Sequence, residues 1–401
     1  METKIICNPM DISIASEAIR AGGFAAVPTE TVYGLCVNAL DERAVQALYE
    51  IKGRPEVKPL ALMVPGAEAM DRYCEDIPDA ARYLAEKFWP GPLTIVLKAK
   101  DCVPAIVRAG GATVGLRCPD HPLTLSLLRD CALPLAGPSA NPSGLPSPKN
   151  AETVLGYFGG QIETVLDGGE CRVGTESTLL DMSAAPYRIL RQGALSRAAI
   201  AAALRSRMTV VGITGGSGCG KTTALRELEK MGALILDCDA IYHRLTEESE
   251  ALREELCGRF GDVYKDGQLD RKALGRLVFA DETALAALNA ITHRFVDAEC
   301  ERLMAEHALA GGTLAALDAV ALCESGMDKK CAFLCGVLAD REKRMERIMA
   351  RDGITEEYAA LRIDAQQKDE YYKEHCTHLL YNNGSENEFK ESCRALFRQL
   401  L

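Results

Sequence analysis

The chain has 401 residues, 48% of them hydrophobic, so it can enclose more than one hydrophobic core. Its formal net charge of −11 argues against wholesale binding of nucleic acid, and a basic surface for RNA would have to be local. No run approaches the roughly 18 apolar residues of a membrane helix, and the N-terminus lacks a signal-peptide pattern. We therefore expect a soluble, cytoplasmic protein with no membrane partner. None of the sixteen cysteines forms a C-x-x-C pair, which favours reduced, mostly buried thiols over zinc ligands.

The first half of the chain alternates helix and strand patterns. The predicted elements are a helix over residues 11–21, a strand over 24–27, a helix over about 41–51 and a strand over 133–136. Thr29-Glu30-Thr31 follows the first strand, which is compatible with plain turn chemistry or with a small polar pocket. Three cations, Lys52, Arg54 and Lys58, follow the second helix and alone would suit a solvated loop.

Polar residues at later strand ends favour a binding site. They are Arg108, Arg117, Ser139, Asn141, Ser143, Glu176, Ser177 and Thr178. Arginine and lysine bind phosphate or carboxylate, while serine and asparagine orient a small polar ligand. The residue types alone predict an α/β domain that binds a phosphate or a carboxylate.

The same positions resemble the threonylcarbamoyl-AMP synthase family, which has a YrdC-like twisted α/β fold. The shared motifs are Pro28-Thr29-Glu30-Thr31-Val32-Tyr33-Gly34-Leu35, Lys52-Gly53-Arg54-Pro55, Lys58-Pro59-Leu60, Trp89-Pro90-Gly91-Pro92-Leu93-Thr94, Arg117-x-Pro119, Ser139-Ala140-Asn141-x-Ser143-Gly144, Asp167-Gly168-Gly169 and Glu176-Ser177-Thr178. The resemblance covers about residues 10–195. It implies an enzyme that joins L-threonine, bicarbonate and ATP into threonylcarbamoyl-adenylate and releases pyrophosphate. Downstream tRNA-modifying proteins would use this adenylate for the t6A modification.

Site residues carry over from this resemblance motif by motif. Thr29 and Thr31 would line the threonine pocket, and Arg117 and Ser177 would lie at the nucleotide. The other implied ligands of ATP or threonine are Lys52, Arg54, Lys58, Ser139, Asn141 and Arg191.

Two alternatives stay open for this half. Related YrdC-like domains in hydrogenase maturation proteins form a carbamoyl-adenylate, but those proteins carry an acylphosphatase module and zinc-finger cysteine pairs that this sequence lacks. The other alternative is a tRNA-binding module without catalysis. Residues 1–207 carry 21 basic and 23 acidic side chains, so a local basic groove is compatible with them, and direct tRNA binding stays open.

A phosphate-binding loop opens the second half. Residues 208–214 predict a buried strand, and a helical pattern starts at Lys221. Between them the sequence fits the G-x-x-x-x-G-K-[ST] template, in which backbone N–H groups point at phosphate oxygens. The predicted ATP-binding residues are Gly215, Gly216, Ser217, Gly218, Cys219, Gly220, Lys221, Thr222 and Thr223. Lys221 would reach the β/γ-phosphates, and the Thr222 hydroxyl would hold Mg²⁺ together with the nucleotide, with no tightly bound organic cofactor.

The position of this loop predicts the domain organisation. The strand before a P-loop usually opens its domain, and 207 residues precede this one. We therefore predict an N-terminal domain over residues 1–207 and a C-terminal domain over 208–401.

Carboxylates and arginines complete the predicted phosphoryl-transfer site. A strand over residues 233–236 ends at Asp237 and Asp239, which would lie beside the phosphate site of a parallel sheet. Asp239 is the candidate base, with Asp237 assisting through Mg²⁺ or water, and helix capping is the alternative for both. A basic helix over 340–352 places Arg344, Arg347 and Arg351 on one face, either a solvated face or a lid over the phosphates.

Residues 208–401 resemble the dephospho-CoA kinase family. The motifs include the P-loop, Asp237-x-Asp239, Phe260-Gly261, Leu269-Asp270-Arg271, a helix reaching His293, Asp318 followed by Glu324-Ser325, the arginine lid, Arg362-x3-Gln366 and Asn382-Asn383-Gly384. The resemblance implies a parallel sheet flanked by helices and transfer of the γ-phosphate of ATP to the ribose 3′-hydroxyl of dephospho-CoA.

The roles implied by this second resemblance are as follows. Catalysis would fall to Asp239, Lys221 and Arg347, further ATP contacts to Arg344, Arg351 and Asn383, and acceptor binding to Asp237, Asp239 and His293 within a helical insert over 249–309. The sequence departs from the family pattern at Thr292-His293-Arg294, at Val320 and at Arg344. A kinase for another small alcohol stays open as the alternative.

Overall fold

A computed structural model describes residues 2–319 and 322–401, and the chain divides into two compact units. The first unit comprises Met1–Leu204 with Leu309–Gly311, and the second comprises Arg205–Ala308 with Gly312–Leu401. The sequence puts the domain boundary between residues 207 and 208, close to this division. Val320, one of the departures named above, lies outside the described residues.

The first unit is built on an 11-stranded mixed sheet. Its strands are β1 (Lys4–Ile6), β2 (Ala25–Val27), β3 (Gly34–Asn38), β4 (Ala61–Met63), β5 (Cys74–Glu75), β6 (Leu93–Ala99), β7 (Thr113–Arg117), β8 (Leu135–Ala136), β9 (Thr164–Leu166), β10 (Thr178–Asp181) and β11 (Arg188–Arg191). They run in the order β1-β9-β2-β3-β8-β4-β7-β6-β10-β11, and β5 pairs with β6. The helices are α1 (Ile12–Arg20), α2 (Glu42–Lys52), α3 (Ala69–Tyr73), α4 (Asp79–Phe88), α5 (Pro122–Cys131), α6 (Ala151–Phe158) and α7 (Arg197–Arg205), with a 3₁₀ turn at Pro9–Asp11. The predicted α/β class is confirmed.

The pairing of β3 brings distant polar motifs of the first unit together. β2 and β3 run antiparallel, so residues 28–33 turn at the end of the sheet. β3 also pairs with β8, and Gly34 bridges to Ser139 just beyond that strand. Helix α2 ends at Lys52 because Gly53 adopts a left-handed conformation with φ of 55°. The polar runs around residues 30, 52 and 139 therefore lie close together although they are far apart in sequence.

The second unit contains a five-stranded, all-parallel sheet. Its strands are β12 (Thr209–Thr214), β13 (Leu234–Asp237), β16 (Leu314–Asp318), β17 (Phe333–Leu338) and β18 (His378–Tyr381), and a separate hairpin is formed by β14 (Tyr264–Lys265) and β15 (Gln268–Leu269). The order is β13-β16-β12-β17-β18, which puts the P-loop strand in the centre. The helices are α8 (Lys221–Lys230), α9 (Cys238–Glu248), α10 (Glu250–Phe260), α11 (Arg271–Val278), α12 (Glu282–Leu309), α13 (Arg341–Asp352), α14 (Glu356–Asp364), α15 (Asp369–His375) and α16 (Glu386–Leu400), with a 3₁₀ turn at Met327–Lys330. The predicted parallel sheet with flanking helices is confirmed.

The core of this unit fixes the start of the P-loop. Val211 and Ile213 of β12 are fully buried in one cluster with Leu228 of α8 and with Phe389 and Phe397 of α16. Alternate apolar side chains of a central strand face the same layer, so the strand cannot shift without uncovering them. The chain turns into the loop at Gly215, whose φ of 142° suits glycine.

The structure also shows the state of the cysteines and the character of the helices. All sixteen cysteines are free, and among them Cys7 and Cys102 are exposed whereas the others are buried or half-buried. Within residues 2–319 and 322–401 no helix is both long and apolar enough to cross a membrane.

We expect Phe397→Ala to destabilise the second unit by about 3–5 kcal/mol, because it removes a fully buried ring from the layer behind the P-loop strand. Denaturant unfolding measures this loss. Phe279→Ala is the matched control, since that ring is 84% exposed and its removal leaves no cavity. Equal losses from both substitutions would contradict this description of the core.

Candidate active sites

A polar cavity of about 340 Å³ lies at the carboxyl end of β12 in the second unit. Its lining combines glycine-rich backbone, cations and carboxylates: Gly216, Ser217, Gly218, Gly220, Lys221, Thr222, Asp237, Asp239, Asp318, Arg347, Arg351 and Arg362. Lys221 donates through Nζ to the carbonyl of Gly215 at 2.7 Å. Backbone N–H groups and cations of this kind suit a polyphosphate.

The predicted lid arginines take different positions. Arg347 and Arg351 line the phosphate cavity, whereas Arg344 is buried against the outer side of the loop and donates to the carbonyl of Ser217 at 3.0 Å. Arg351 pairs with Asp352, which also accepts from Arg362, at 2.7 Å in each case. The sequence identifies Arg362 only as part of a family motif. Its position at the cavity depends on the fold of α14, the helix that carries it.

The lining of this cavity does not include three further predicted ATP ligands, Cys219, Thr223 and Asn383. Asn383 is exposed and binds Asp340 at the start of α13, with contacts of 2.8 Å in both directions. Cys219 is a buried thiol within the loop, and the backbone N–H of Thr223 donates to Gly220 at 3.0 Å.

Two neighbouring parallel strands deliver the carboxylates. Asp237 at the end of β13 lies opposite Asp318 at the end of β16. Burial raises the pKa of Asp318 to about 6; the charge of Lys221 opposes this rise, and those of Asp237 and Asp239 add to it. Asp318 was not among the predicted site residues, although the signal that selected Asp237, a carboxylate closing a buried strand, applies to it equally.

Asp237 and Asp239 differ in their local roles. Asp237 caps helix α9, because its Oδ1 accepts from the N–H of Ala240 at 2.9 Å, which is the contact that the capping alternative describes. Asp239 lies in the first turn of α9 and lines both the phosphate cavity and a second cavity described below.

The oxygens of this site fit a magnesium ion that arrives with a nucleotide. Thr222 and the three carboxylates line the same cavity, and carboxylate and hydroxyl oxygens are the ligands that Mg²⁺ prefers. The proximity of Asp237 and Asp239, which raises the pKa of Asp318, shows local negative charge that a cation would offset. In the described parts of the chain, no group of three or more His, Cys, Asp and Glu side chains is arranged to hold a metal by itself.

The second cavity, of about 420 Å³, is mainly apolar and lies between α9, α11 and α12. Its lining includes Tyr242, Leu274, Val278, Phe279, Leu288, Asn289, Thr292 and His293. Two of the three residues at the departure from the family pattern, Thr292 and His293, therefore reach this cavity. Arg294 instead forms an ion pair with Glu255.

The first unit has a cavity of about 290 Å³ with three guanidinium groups. The predicted residues that line it are Arg54, Arg117, Ser139, Ser177 and Arg191. Arg191 donates to the carbonyl of Ser177 at 2.9 and 3.2 Å, and the Ser177 hydroxyl lies 2.7 Å from that of Thr94. Three fixed cations and adjacent hydroxyls suit an anionic ligand with polar groups.

Arg117 is held in place by Thr29 and Thr31, which are buried and do not line the cavity. The Thr31 hydroxyl accepts from Arg117 Nη2 at 2.8 Å and lies 2.9 Å from the hydroxyl of Thr29. Glu30 forms an ion pair with the same guanidinium at 2.8 Å, and both side chains are buried. Glu30 was not among the predicted site residues, although it stands between two that were.

Lys52 fastens the segment that carries Ser139 and Asn141. Its side chain is only 3% exposed, and Nζ donates to the carbonyls of both residues. Burial, together with the smaller effect of the nearby charge of Arg54, lowers the pKa of Lys52 to about 7. Lys52 and Asn141 are thus brought together beneath the cavity lining. Lys58 is exposed, and its carbonyl accepts from Tyr49 at 2.9 Å.

Fold and cavities define a two-unit α/β protein of the nucleotide-binding class. A family model described as telomere recombination (Sua5/YciO/YrdC) matches residues 17–193, and the dephospho-CoA kinase model matches residues 209–388. The chain therefore belongs to the threonylcarbamoyl-AMP synthase family through its first unit and to the dephospho-CoA kinase family through its second. Both family resemblances seen in the sequence are confirmed.

Individual relatives match one unit each. Threonylcarbamoyl-AMP synthase of Pyrococcus abyssi is 47% identical over 46% of this chain and 54% of its own length. A putative threonylcarbamoyl-AMP synthase of Mycobacterium tuberculosis (H37Rv) is 37% identical over 47% of this chain and 86% of its own length. Dephospho-CoA kinase of Thermobifida fusca is 35% identical over 48% of this chain and 96% of its own length. The chain thus spans about half the length of the synthases of Pyrococcus abyssi and Bacillus subtilis that it matches.

We expect the stability of the nucleotide-free protein to fall as the pH rises from about 4 to about 6, through Asp318. Its folded-state pKa is above the ordinary value, so the folded state binds the proton more tightly, and this stabilising contribution is lost as the pH passes through the folded pKa. Asp318→Asn cannot ionise and therefore escapes the loss. Denaturant unfolding of both proteins at pH 4 and pH 7 measures the difference.

Asp364→Asn is the control for this experiment. Its exposed carboxylate pairs with Arg341, which lowers its pKa, so removing it does not relieve a loss of stability at rising pH. A stability difference between wild type and Asp318→Asn that is independent of pH would contradict the effect of burial on Asp318.

Proposed function

We propose that the chain carries two transferase activities, one in each unit. The first unit forms L-threonylcarbamoyladenylate from L-threonine, bicarbonate and ATP, with release of pyrophosphate. The second phosphorylates the ribose 3′-hydroxyl of dephospho-CoA with ATP. The observation that carries the proposal is that each family-matched segment has its own cavity with fixed cations, one lined by Arg54, Arg117 and Arg191 and the other by the P-loop.

In the kinase unit, Asp239 is the proposed base. Its place in the lining of both the phosphate cavity and the apolar cavity supports this role, because the acceptor hydroxyl must meet the γ-phosphate there. Lys221 and Arg347 would stabilise the negative charge that develops on the transferred phosphoryl group. His293 would contact the acceptor, as would Asp237 from its position at the start of α9.

ATP-dependent kinases in general use a divalent metal, and we propose Mg²⁺ bound with the nucleotide at Thr222. When bound, Mg²⁺ would neutralise charge on the β- and γ-phosphates. Arg351 and Arg362, at the rim of the same cavity, would add positive charge to the phosphate site.

In the synthase unit, positioning and charge would carry the reaction. A carbamate oxygen formed from threonine and bicarbonate would attack the α-phosphate of ATP, and pyrophosphate would leave. Arg54, Arg117 and Arg191 would match the growing negative charge, with Ser139 and Ser177 orienting the nucleotide. Thr29 and Thr31, which the resemblance assigns to the threonine pocket, would act there by holding Arg117, and Lys52 would keep Ser139 and Asn141 in place.

The alternatives predict different products. A carbamoyl-adenylate module would not need threonine, and a tRNA-binding module would release no pyrophosphate. Release that depends jointly on threonine, bicarbonate and ATP therefore decides among them. For the second unit, a panel of hydroxyl acceptors decides, and indifference to dephospho-CoA would refute the proposed acceptor. The names of the matched relatives favour the proposed pair, and the cytoplasm, which holds both sets of substrates, would be the place of action.

The two activities should be lost independently. Lys221→Ala should lower dephospho-CoA phosphorylation by about 10²- to 10³-fold and leave threonine-dependent pyrophosphate release unchanged, because Lys221 belongs to one cavity only in this assignment. Arg54→Ala should have the reverse effect. Arg226→Ala, which removes an exposed cation from the same helix as Lys221, is the control. Loss of both activities in one folded variant would contradict the assignment of one site to each unit.

Asp239→Asn should lower kcat of the kinase by about 10²- to 10⁴-fold with little change in the KM for ATP, because it removes the proton acceptor and preserves shape. Asp237→Asn should cost much less, since asparagine also caps helices. Steady-state kinetics on the full chain measure both. A larger loss in Asp237→Asn than in Asp239→Asn would show that the base has been assigned to the wrong carboxylate.

A further inference from the structure

Side chains from outside the P-loop hold several of its backbone carbonyls. Arg344 Nε donates to Ser217 O at 3.0 Å, Arg347 Nη1 to Gly218 O at 3.2 Å, and Asn382 Nδ2 to Cys219 O at 2.8 Å. The donors come from α13 and from the residue after β18. The loop conformation therefore depends on elements far along the chain.

Holding a carbonyl also orients an N–H group. In a trans peptide the C=O of one residue and the N–H of the next point in opposite directions. A donor fixed on Ser217 O therefore turns the N–H of Gly218 away from Arg344, and Gly218 lines the phosphate cavity. Backbone amides that are oriented before ATP arrives cost no reorganisation on binding.

Ser217 is enclosed by a second side chain as well. Gln366 Oε1 accepts from the Ser217 N–H at 2.8 Å, and Gln366 Nε2 lies 2.8 Å from the Ser217 hydroxyl. The same Oε1 accepts from Arg344 Nη2 at 3.0 Å. Arg344 and Gln366 thus satisfy the carbonyl, the N–H and the hydroxyl of one loop residue, and they also bind each other.

The sequence of the loop is adapted to this contact. A Cβ added at Gly216 would lie 2.2 Å from Arg344 Nη2, so the guanidinium packs against bare backbone. Arg344 is only 5% exposed, so its guanidinium is enclosed by the loop and its neighbours. An arginine offers a planar fork of donors that can bind two acceptors at once, which is the contact that Ser217 O and Gln366 Oε1 receive.

We propose that Arg344 is a positioning residue for ATP binding, which acts through Ser217 together with Gln366 and does not touch the phosphates. This inference rests on the proposed kinase function of the second unit. Arg344 would then not make the direct phosphate contact that the lid pattern predicted. Helix α13, which carries Arg344, would instead support the P-loop.

The test is steady-state kinase kinetics on the full chain. Arg344→Ala should raise the KM for ATP about 10-fold, the effect of losing a charge-assisted hydrogen bond, and should leave the KM for dephospho-CoA within about twofold. Arg344→Lys should recover part of the loss, since an ammonium can still donate to Ser217 O. Arg341→Ala is the matched control, because Arg341 also lies on α13 but pairs with the exposed Asp364.

A second variant and a double variant extend the test. If Arg344→Ala does not fold, Gln366→Ala makes the same test from the other side of Ser217 and should also raise the KM for ATP. Where both fold, the double variant should be less impaired than the product of the single effects, because both residues act on one loop residue. An unchanged KM for ATP, or an equal rise in both KM values, would overturn the proposal. A wild-type chain that does not phosphorylate dephospho-CoA would instead overturn the proposed function.

Discussion

The parallel pairing of β12 with β16 and β17 is the constraint on which the kinase site depends. Carboxyl ends of parallel strands meet at one edge of the sheet, so the loop after β12 and the residues that close the neighbouring strands converge there. β13 and β16 bring Asp237 and Asp318 face to face, and β18 brings Asn382 to the carbonyl of Cys219. Loop amides, cations and carboxylates are thus assembled by strand register, and the apolar cavity meets them at Asp239.

A different device organises the first unit, where the strands are short and mixed. There, buried charged groups hold loops in place: Arg117 is fixed by Glu30 and Thr31, and Lys52 by the carbonyls of Ser139 and Asn141. Each charge has lost most of its contact with water, so each needs partners of good geometry, and removing one partner would leave the other buried and unpaired. Buried residues that do not line the cavity therefore hold in place the residues that do.

A feature of this fold could be predicted from the sequence when its signal lies within a short stretch of the chain. The P-loop, its strand and its helix were predicted because their signal is contained in about fifteen consecutive residues, and α2 and α13 agree with the predictions to within a residue. The order of the 11-stranded sheet was out of reach, because strands of two to seven residues carry little pairing information.

Side-chain contacts that depend on the tertiary structure could not be predicted from the sequence. Helical spacing predicted one shared face for Arg344, Arg347 and Arg351, yet it did not reveal that Arg344 ends against Ser217 and Gln366. Asp237 was assigned to the chemistry, with capping as the alternative, and the structure shows the cap. For Arg344 the missing information was a partner supplied by another element, whereas the partner of Asp237, the N–H of Ala240, is local and follows from the capping alternative.

We propose that this chain holds two independent ATP sites, one in each compact unit. Equilibrium dialysis with labelled ATP tests it most directly. Two molecules of ATP should bind per wild-type chain, and one per chain after Lys221→Ala. A single molecule per wild-type chain, or an unchanged stoichiometry in the Lys221 variant, would contradict it.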